Sequence, residues 1–273
     1  MLSLDVSIST YKPEGIFRVE KMLAPLTPRE GVRYIVSWQE HENTPVPVSL
    51  LQRKDTEIFR FEGRGLSNNR NNALDHCQGD IILIADDDLQ YYPDFAEKII
   101  EAFEQNPEMD FGTFQIEYSE KKIYPPNRQV IKIPFPKGYY GSTVEFGIRR
   151  NKIGDLRFWP GIGPGSDYLL TGEDEVFLIS AIKRGLKVVS ISSEIGKHLS
   201  STTGSRVSPG VLRGQGFIIR LLYPGSFPLR LILKAYRVSK NKNISFIDSL
   251  YNLSEGALYS MKVWTKTSRK YRW

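Results

Sequence analysis

The hydrophobic residues of this chain recur with two spacings. Short aliphatic runs predict strands at residues 4–10, 32–38, 57–61, 81–85 and 188–192. Helical spacing predicts amphipathic helices at residues 15–26, 67–77, 95–103 and 176–185, the second of them capped by Ser67. Because strands that alternate with helices form parallel sheets, the pattern predicts an α/β fold with a mostly parallel, wound sheet.

Two segments depart from this alternation. Residues 111–118 and 129–135 alternate like two strands around the Pro125-Pro126 turn, and they predict an extension beside the sheet. Residues 206–273 predict a basic, mainly helical C-terminal extension. The predicted division is therefore a catalytic or binding domain at residues 1–205, followed by the extension at residues 206–273.

Charge separates the same two parts of the chain. Residues 206–273 contain 13 Lys or Arg residues against two acids, whereas residues 1–205 contain 24 basic and 29 acidic residues. Because aliphatic clusters stand among the basic residues, the expected partner is an anionic membrane and not nucleic acid; a helical cap with a solvated basic face is the alternative. A single cysteine, Cys77, and an N-terminus without an apolar segment favour the cytoplasm, and the basic extension favours the inner face of the cell membrane.

The run Ile81–Asp88 carries the clearest chemistry. Its aliphatic residues predict a strand that is buried on both faces, and Asp86, Asp87 and Asp88 follow at the carboxyl end of that strand. Like charges this close repel one another, and a divalent cation would relieve the repulsion. The ligand crevice of an open α/β sheet lies at this edge, so the triplet predicts a cation site; a solvated acidic turn is the alternative.

Two glycine-containing loops lead into helices. Residues 63–72 contain two arginines and four asparagines, which suit a phosphate at a helix N-terminus or, alternatively, a solvated cap. Residues 161–175 end in three acids that open a helix. These acids predict a general base at the rim of the crevice, although acids also stabilise a helix N-terminus for structural reasons alone.

His198 follows the strand at residues 188–192 and is a candidate metal ligand or a structural histidine.

Several motifs in order resemble the nucleotide-binding half of family 2 inverting glycosyltransferases. They are Asn71-Asn72-Ala73, Gly79-Asp80-Ile81-Ile82, Asp86-Asp87-Asp88 and Pro93-Asp94-Phe95, and the later Gly172–Leu178 is similar to the acceptor-side Glu-Asp motif of that family. The resemblance covers roughly residues 4–200. It implies a Rossmann-like sheet of the GT-A type and the transfer of a sugar from a nucleoside-diphosphate sugar to a hydroxyl group.

The resemblance also implies a metal on the donor side. Asp88 would ligate Mg²⁺ or Mn²⁺ that bridges the diphosphate, and Asp86 would lie nearer the ribose as a second candidate ligand. His198 remains a further candidate metal ligand. Asp87, between the two ends of the motif, is expected to be a structural acid within the nucleotide-sugar site.

The remaining roles follow from the same resemblance. Arg70 would face the nucleotide, and Thr10 and Tyr11 would hold the base at the end of the first strand. Asp174 would be the catalytic base that takes a proton from the acceptor, with Glu173 as its close competitor. A single displacement by the acceptor would invert the configuration of the anomeric carbon.

One position departs from the family pattern. The family usually has an acidic turn after the second strand, but this chain has Gln39, which offers both a donor and an acceptor to the base.

Taken together, the motifs and the resemblance imply a metal-dependent glycosyltransferase that acts on a glycan or lipid-linked saccharide in the synthesis of a bacterial surface polysaccharide. A nucleotidyltransferase on the same kind of sheet and a non-catalytic, membrane-docking protein are the alternatives.

Overall fold

A computed structural model describes residues 1–198, 207–241 and 244–264. The strands are β1 (Leu4–Tyr11), β2 (Val32–Gln39), β3 (Thr56–Phe61), β4 (Ile81–Asp86), β5 (Leu89–Tyr91), β6 (Phe111–Glu117), β7 (Phe146–Arg149) and β8 (Val188–His198). The helices are α1 (Gly15–Leu23), α2 (Val48–Leu51), α3 (Leu66–His76), α4 (Phe95–Gln105), α5 (Arg150–Ile153), α6 (Glu173–Lys183), α7 (Pro209–Leu222), α8 (Phe227–Asn241) and α9 (Phe246–Trp264).

The eight strands form one mixed sheet in the order β3-β2-β1-β4-β7-β6-β8-β5. The pairs β1-β2, β2-β3, β1-β4 and β6-β8 are parallel, and β4-β7, β6-β7 and β5-β8 are antiparallel. The chain runs outward from β1 to β3 and then returns to the other side of β1 as β4. This reversal leaves a crevice at the carboxyl ends of β1 and β4, the usual place for a ligand in such sheets.

The aliphatic run in β4 explains its central position. Ile81, Leu83 and Ala85 pack into the core on one face of the sheet, and Ile82 and Ile84 pack into the core on the other. Helices α1 and α4 cover the first face, and α3 and α6 cover the second. The prediction of a strand buried on both faces is confirmed, and so is the α/β fold with its helical C-terminal part.

Three details of the predicted elements are wrong. Ser67 does not cap α3; the N-cap is Gly65, at φ +89°, and the Ser67 hydroxyl donates to the carbonyl of Ile162 instead. Residues 129–135 form no strand and share one isolated bridge with β8, through Val130. Strand β6 lies inside the sheet, between β7 and β8, and not beside it.

The C-terminal helices have a small core of their own. Leu212 of α7, Leu231 and Ala235 of α8, and Leu253 and Ala257 of α9 meet in one buried cluster. A bilayer crossing would need a longer apolar helix than any found in the described residues.

Glycines allow two of these helices to approach closely. A Cβ added to Gly216 of α7 would overlap the carbonyl oxygen of Leu253, and one added to Gly256 of α9 would overlap the carbonyl oxygen of Arg213. The two helix backbones are therefore in direct contact, because neither position carries a side chain.

Candidate active site

A cavity of about 480 Å³ opens at the carboxyl ends of β1 and β4. Its walls come from the ends of β1, β2 and β4, from the start of α3 and from the loop before α6. The residues that line it are Ser9, Thr10, Tyr11, Gln39, Glu40, Arg64, Gly65, Leu66, Asn69, Asp86, Asp87, Asp88, Pro164 and Gly165. Six of the residues singled out from the sequence therefore share one cavity.

A buried arginine joins two sides of this site. Arg70, on α3, is 2% exposed, and its Nη2 donates to both carboxylate oxygens of Asp86 at 3.0 and 3.2 Å. Its Nη1 donates to Asp174 Oδ1 at 2.9 Å and lies 3.6 Å from Glu173 Oε1. The guanidinium also lies over the ring of Phe158. One side chain thus holds the carboxylate at the end of β4 and the carboxylate at the start of α6.

Asp87 faces a different cation from Asp86. Arg18 Nη2 donates to Asp87 Oδ2 at 2.9 Å, and the hydroxyl of Thr10 donates to the same oxygen. Burial raises the pKa of Asp87, while the bonds from Arg18 and Thr10 act in the opposite direction. The expectation of a structural role for Asp87 agrees with these contacts. Arg18 carried no signal in the sequence, because it is an ordinary polar residue of an amphipathic helix.

Asp88 turns toward the far edge of the sheet. Strand β5 follows it at once and pairs antiparallel with the end of β8, so that Leu89 stands opposite His198. This pairing brings His198 Nε2 to 3.5 Å from Asp88 Oδ1, and the His198 ring lies 5.6 Å from that of Tyr118. This pair offers one carboxylate oxygen and one imidazole nitrogen. Mn²⁺ accepts both kinds of ligand, whereas Mg²⁺ prefers oxygen, so the pair suits Mn²⁺ better.

The three consecutive acids therefore diverge. Within the described residues, no three His, Cys, Asp or Glu side chains converge closely enough to hold a metal ion. Asp86 is held by Arg70, whereas the Asp88 carboxylate lies beside the His198 imidazole, so Asp88 and His198 are the pair whose chemistry fits a cation shared with a bound phosphate group.

The two acids that open α6 differ in their surroundings. Burial and the neighbouring Asp174 carboxylate raise the pKa of Glu173 well above its usual range, although Arg70 acts in the opposite direction. Asp174 is more exposed than Glu173 and forms the shorter ion pair with Arg70. Burial and Asp174 also raise the pKa of Glu175, to about 7. The raised pKa of Glu173 makes it the weaker candidate of the two for a carboxylate base.

The base end of the cavity holds Gln39 and Tyr11. Gln39 ends β2 and is 7% exposed, and its Oε1 is buried with no hydrogen-bond partner among the described residues. Tyr11 ends β1 with an exposed ring, and the cation of Lys12 lies 5.3 Å from the centre of that ring. The cavity therefore offers an aromatic face beside an unused hydrogen-bond acceptor.

The two glycine-containing loops meet at the mouth of the cavity. A Cβ on Gly165 would lie 2.7 Å from the Cα of Gly65, so the loops approach this closely because Gly165 lacks a side chain. The N–H of Leu66 donates to the carbonyl of Pro164 at 3.0 Å. The first amide of α3 is thus used within the protein, which weakens the expectation that this helix start binds phosphate.

Helix α7 packs directly behind the loop that carries the acids. A Cβ on Gly172, the N-cap of α6, would lie 2.9 Å from Ile218 of α7, and one on Gly214 of α7 would overlap the carbonyl oxygen of Thr171. The C-terminal extension is therefore in contact with the residues just before Glu173 and Asp174.

A second buried ion pair lies close to His198. Lys122 and Glu145 pair with side chains 1% and 0% exposed, and the hydroxyls of Tyr118 and Tyr124 donate to the same Glu145 oxygen at 3.0 and 2.9 Å. This cluster could not be predicted from the sequence, because a lysine usually faces solvent. Tyr118 connects this cluster to His198, because the centres of their rings lie 5.6 Å apart.

The other two histidines and the single cysteine have structural contacts. His41 Nε2 lies 3.0 Å from Glu62 Oε1, and the ring of His76 stacks on Phe59 at 3.6 Å. Cys77 is buried in the core, where burial raises the pKa of its thiol to about 12.

The family model described as "Glycosyl transferase family 2" matches residues 40–159. The crystal structure of S. aureus TarS 1-349 is similar with a TM-score of 0.59 and 13% identity, over 96% of this chain and 92% of that chain. The same protein in complex with UDP-GlcNAc matches with a TM-score of 0.59 and 12% identity, over 96% and 92%. Its complex with UDP matches with a TM-score of 0.58 and 15% identity, over 98% and 73%. No curated protein sequence matches the chain.

Proposed function

We propose that this chain, which has the GT-A fold and matches the glycosyl transferase family 2 model at residues 40–159, transfers a sugar from a uridine-diphosphate donor to a hydroxyl group with inversion. The observation that carries the proposal is the Arg70 bridge between Asp86 and Asp174. It places the end of β4, where the donor diphosphate would lie, beside the start of α6, where the base would lie. The nucleotidyltransferase and non-catalytic alternatives are set aside.

The uridine assignment rests on Gln39. Uracil presents one N–H between two carbonyl groups, and a primary amide complements that edge by accepting from the N–H and donating to a carbonyl. The Oε1 of Gln39 is a buried acceptor with no hydrogen-bond partner among the described residues, and the exposed ring of Tyr11 offers a stacking face beside it. The complexes of TarS with UDP and UDP-GlcNAc point in the same direction.

The diphosphate end would use Asp88 and His198. Protein metal sites for nucleotides commonly combine one or two protein ligands with phosphate oxygens, which fits a pair of donors 3.5 Å apart. When bound, Mn²⁺ or Mg²⁺ would neutralise charge on the departing diphosphate. Arg64, which lines the same cavity as Asp88, would add a positive charge there.

The acceptor side would use Asp174. Its carboxylate takes the proton of the acceptor hydroxyl while that oxygen attacks the anomeric carbon and the bond to the diphosphate breaks. Because the nucleophile enters opposite to the leaving group, one displacement inverts the anomeric configuration. Glu173, whose pKa is raised by burial and by Asp174, is the weaker base and would hydrogen-bond the acceptor instead.

The acceptor that we propose is a glycan or lipid-linked saccharide of a bacterial surface polysaccharide, used at the cytoplasmic face of the cell membrane. Support comes from the contact of α7, the first described helix of the basic extension, with the loop before Asp174. We keep the proposed division into a catalytic domain at residues 1–205 and an extension that contacts an anionic membrane.

The proposal is tested by turnover with a panel of nucleotide sugars in the presence of Mn²⁺. We expect UDP as the released product, a donor with another base to be a poor substrate, and an inverted anomeric centre by NMR. Binding of a UDP-sugar at 100 times its Kd should add about 2.7 kcal/mol to the free energy of unfolding, which a thermal shift reports. Release of pyrophosphate would contradict the proposal.

The base is tested by Asp174→Asn, with Asp167→Asn as the matched control. Asp167 is an exposed carboxylate on the same loop. We expect Asp174→Asn to lower kcat by about 10² to 10⁴ at unchanged donor affinity, and Asp167→Asn to leave kcat as it is. Full activity of Asp174→Asn would remove Asp174 from the mechanism.

A further inference from the structure

Helix α8 has an ordinary inner face. Leu231, Ala235 and Val238 recur at helical spacing and are buried against α7 and α9. This stripe accounts for the attachment of α8 to the rest of the protein.

The outer face of α8 is apolar as well. Leu229, Leu233 and Tyr236 are 61%, 47% and 51% exposed, and their spacing of four and three residues places them on one side of the helix. At about 100° per residue, this stripe lies nearly opposite the buried one, with half-exposed Ile232 on its flank. A helix of a globular protein usually presents charged or polar residues there, so the exposed stripe needs a partner.

Cations border this outer stripe. Arg230 and Arg237 lie along one side of the stripe, and Lys240 lies one turn beyond Tyr236 at the end of the stripe. The guanidinium of Arg230 is held over the ring of Tyr223 at 3.6 Å, and the Lys240 ammonium lies 5.0 Å from the centre of the Tyr236 ring. Residues 207–241 contain six Lys or Arg residues and no Asp or Glu.

We propose that the outer face of α8 lies flat on an anionic lipid bilayer, with the apolar stripe inserted among the acyl chains and the cations among the headgroups. The inference rests on the membrane contact proposed above for residues 206–273 and assigns it to one face of one helix. An apolar stripe bordered by basic residues, on a helix that contains no Asp or Glu, is the arrangement that interfacial helices use.

A second copy of the chain fits this face less well. In a symmetric dimer the same surface meets itself, so Arg230, Arg237 and Lys240 would face the same cations of the partner copy. Phospholipid headgroups, in contrast, carry the complementary charge. Charge therefore selects the lipid surface over self-association.

The test measures binding of the full chain to vesicles of phosphatidylcholine with and without phosphatidylglycerol, by co-sedimentation. We expect binding only with phosphatidylglycerol, and weaker binding as salt is raised. Arg237→Gln with Lys240→Gln should weaken binding about 30-fold, at about fivefold per cation. Leu229→Ser with Leu233→Ser should weaken it at least tenfold, since burying one such side chain is worth roughly a factor of ten or more.

Matched controls separate these effects from general changes of the surface. Val48→Ser with Leu51→Ser removes two exposed apolar residues of α2, and Lys54→Gln with Lys137→Gln removes two exposed cations of the catalytic part. Both controls should bind vesicles like the wild type. All variants should keep the wild-type Tm, because every substituted side chain is exposed.

Three outcomes would overturn the assignment. The first is wild-type vesicle binding by both α8 variants. The second is absence of binding to phosphatidylglycerol. The third is a dimer, seen by analytical ultracentrifugation, that the leucine variant dissociates. Release of UDP from the donor is measured on the same samples, so failure of α8 to bind lipid is distinguished from failure of the proposed transfer reaction.

Discussion

Arg70→Met removes the cation that Asp86, Asp174 and Glu173 share. Breaking a buried ion pair by removing one partner costs about 3–5 kcal/mol, because the other partner is left uncompensated. The Asp86 and Asp174 side chains are 29% and 21% exposed, so we expect the loss in free energy of unfolding to lie at the lower end of this range, at about 3 kcal/mol. For a chain of this size that corresponds to a decrease of Tm by roughly 6–12 °C. We expect kcat to fall about 100-fold, since the two carboxylates lose their common anchor.

Arg70→Lys separates charge from geometry. A lysine keeps the positive charge, but its single ammonium cannot reproduce the planar fork that contacts Asp86 with one nitrogen and Asp174 with the other. We therefore expect it to recover most of the Tm and little of kcat.

Arg33→Met is the matched control. Arg33 also joins two carboxylates, with bonds of 3.0 and 2.7 Å to the buried Asp5 and of 2.9 Å to Glu57, but it lies near the amino ends of the strands, away from the cavity. It should lower Tm to a similar extent and leave kcat unchanged. The assay is UDP release under saturating donor, with Tm from calorimetry. A wild-type kcat for Arg70→Lys, or equal loss of kcat in Arg70→Met and Arg33→Met, would refute the reasoning.

Three further predictions follow from buried groups and close contacts. Glu173→Gln should keep kcat within about tenfold. Its Tm should rise relative to that of the wild type between pH 5 and 9, because the raised pKa of Glu173 makes its ionisation in the folded state unfavourable once the pH exceeds the unfolded value of about 4.3. A difference in Tm that does not change with pH would contradict this. Lys122→Met should lower the free energy of unfolding in urea by about 3–5 kcal/mol by leaving Glu145 unpaired, and adding Glu145→Gln should restore part of it. Gly216→Ala should cost about 1–3 kcal/mol by forcing α7 and α9 apart. Gly225→Ala, where an added Cβ meets no described atom within 4 Å, should have no measurable effect on Tm.

The central strands and the acids at their ends could be predicted from local pattern. The aliphatic run at residues 81–85 has no polar position, so both faces had to be covered, and Asp86–Asp88 then had to emerge at the edge of the sheet. The contacts that organise those acids could not be predicted in the same way. Arg70 and Asp174 are 104 residues apart in the sequence, and their pairing depends on how α3 and α6 pack on one face of the sheet.

The errors have physical causes as well. Residues 129–135 alternate like a strand, but the segment contains Pro134, which cannot donate a backbone hydrogen bond, and its amides bond to β8 at isolated points only. Ser67 has the usual chemistry of an N-cap, yet Gly65 ends the loop two residues earlier with a positive φ, so the helix begins before Ser67. In both cases tertiary contacts outweighed a local preference.

The contact between α7 and the loop before Asp174 limits how this enzyme can be recombined with others. Gly172 and Gly214 each lie where a side chain would strike the opposite element, so the two surfaces are complementary only as a pair. A chimera that joins residues 1–205 to a foreign C-terminal extension would keep one half of this pair and lose the other. Exchange of the extension between homologous transferases should therefore succeed only when residues 161–172 are exchanged together with it.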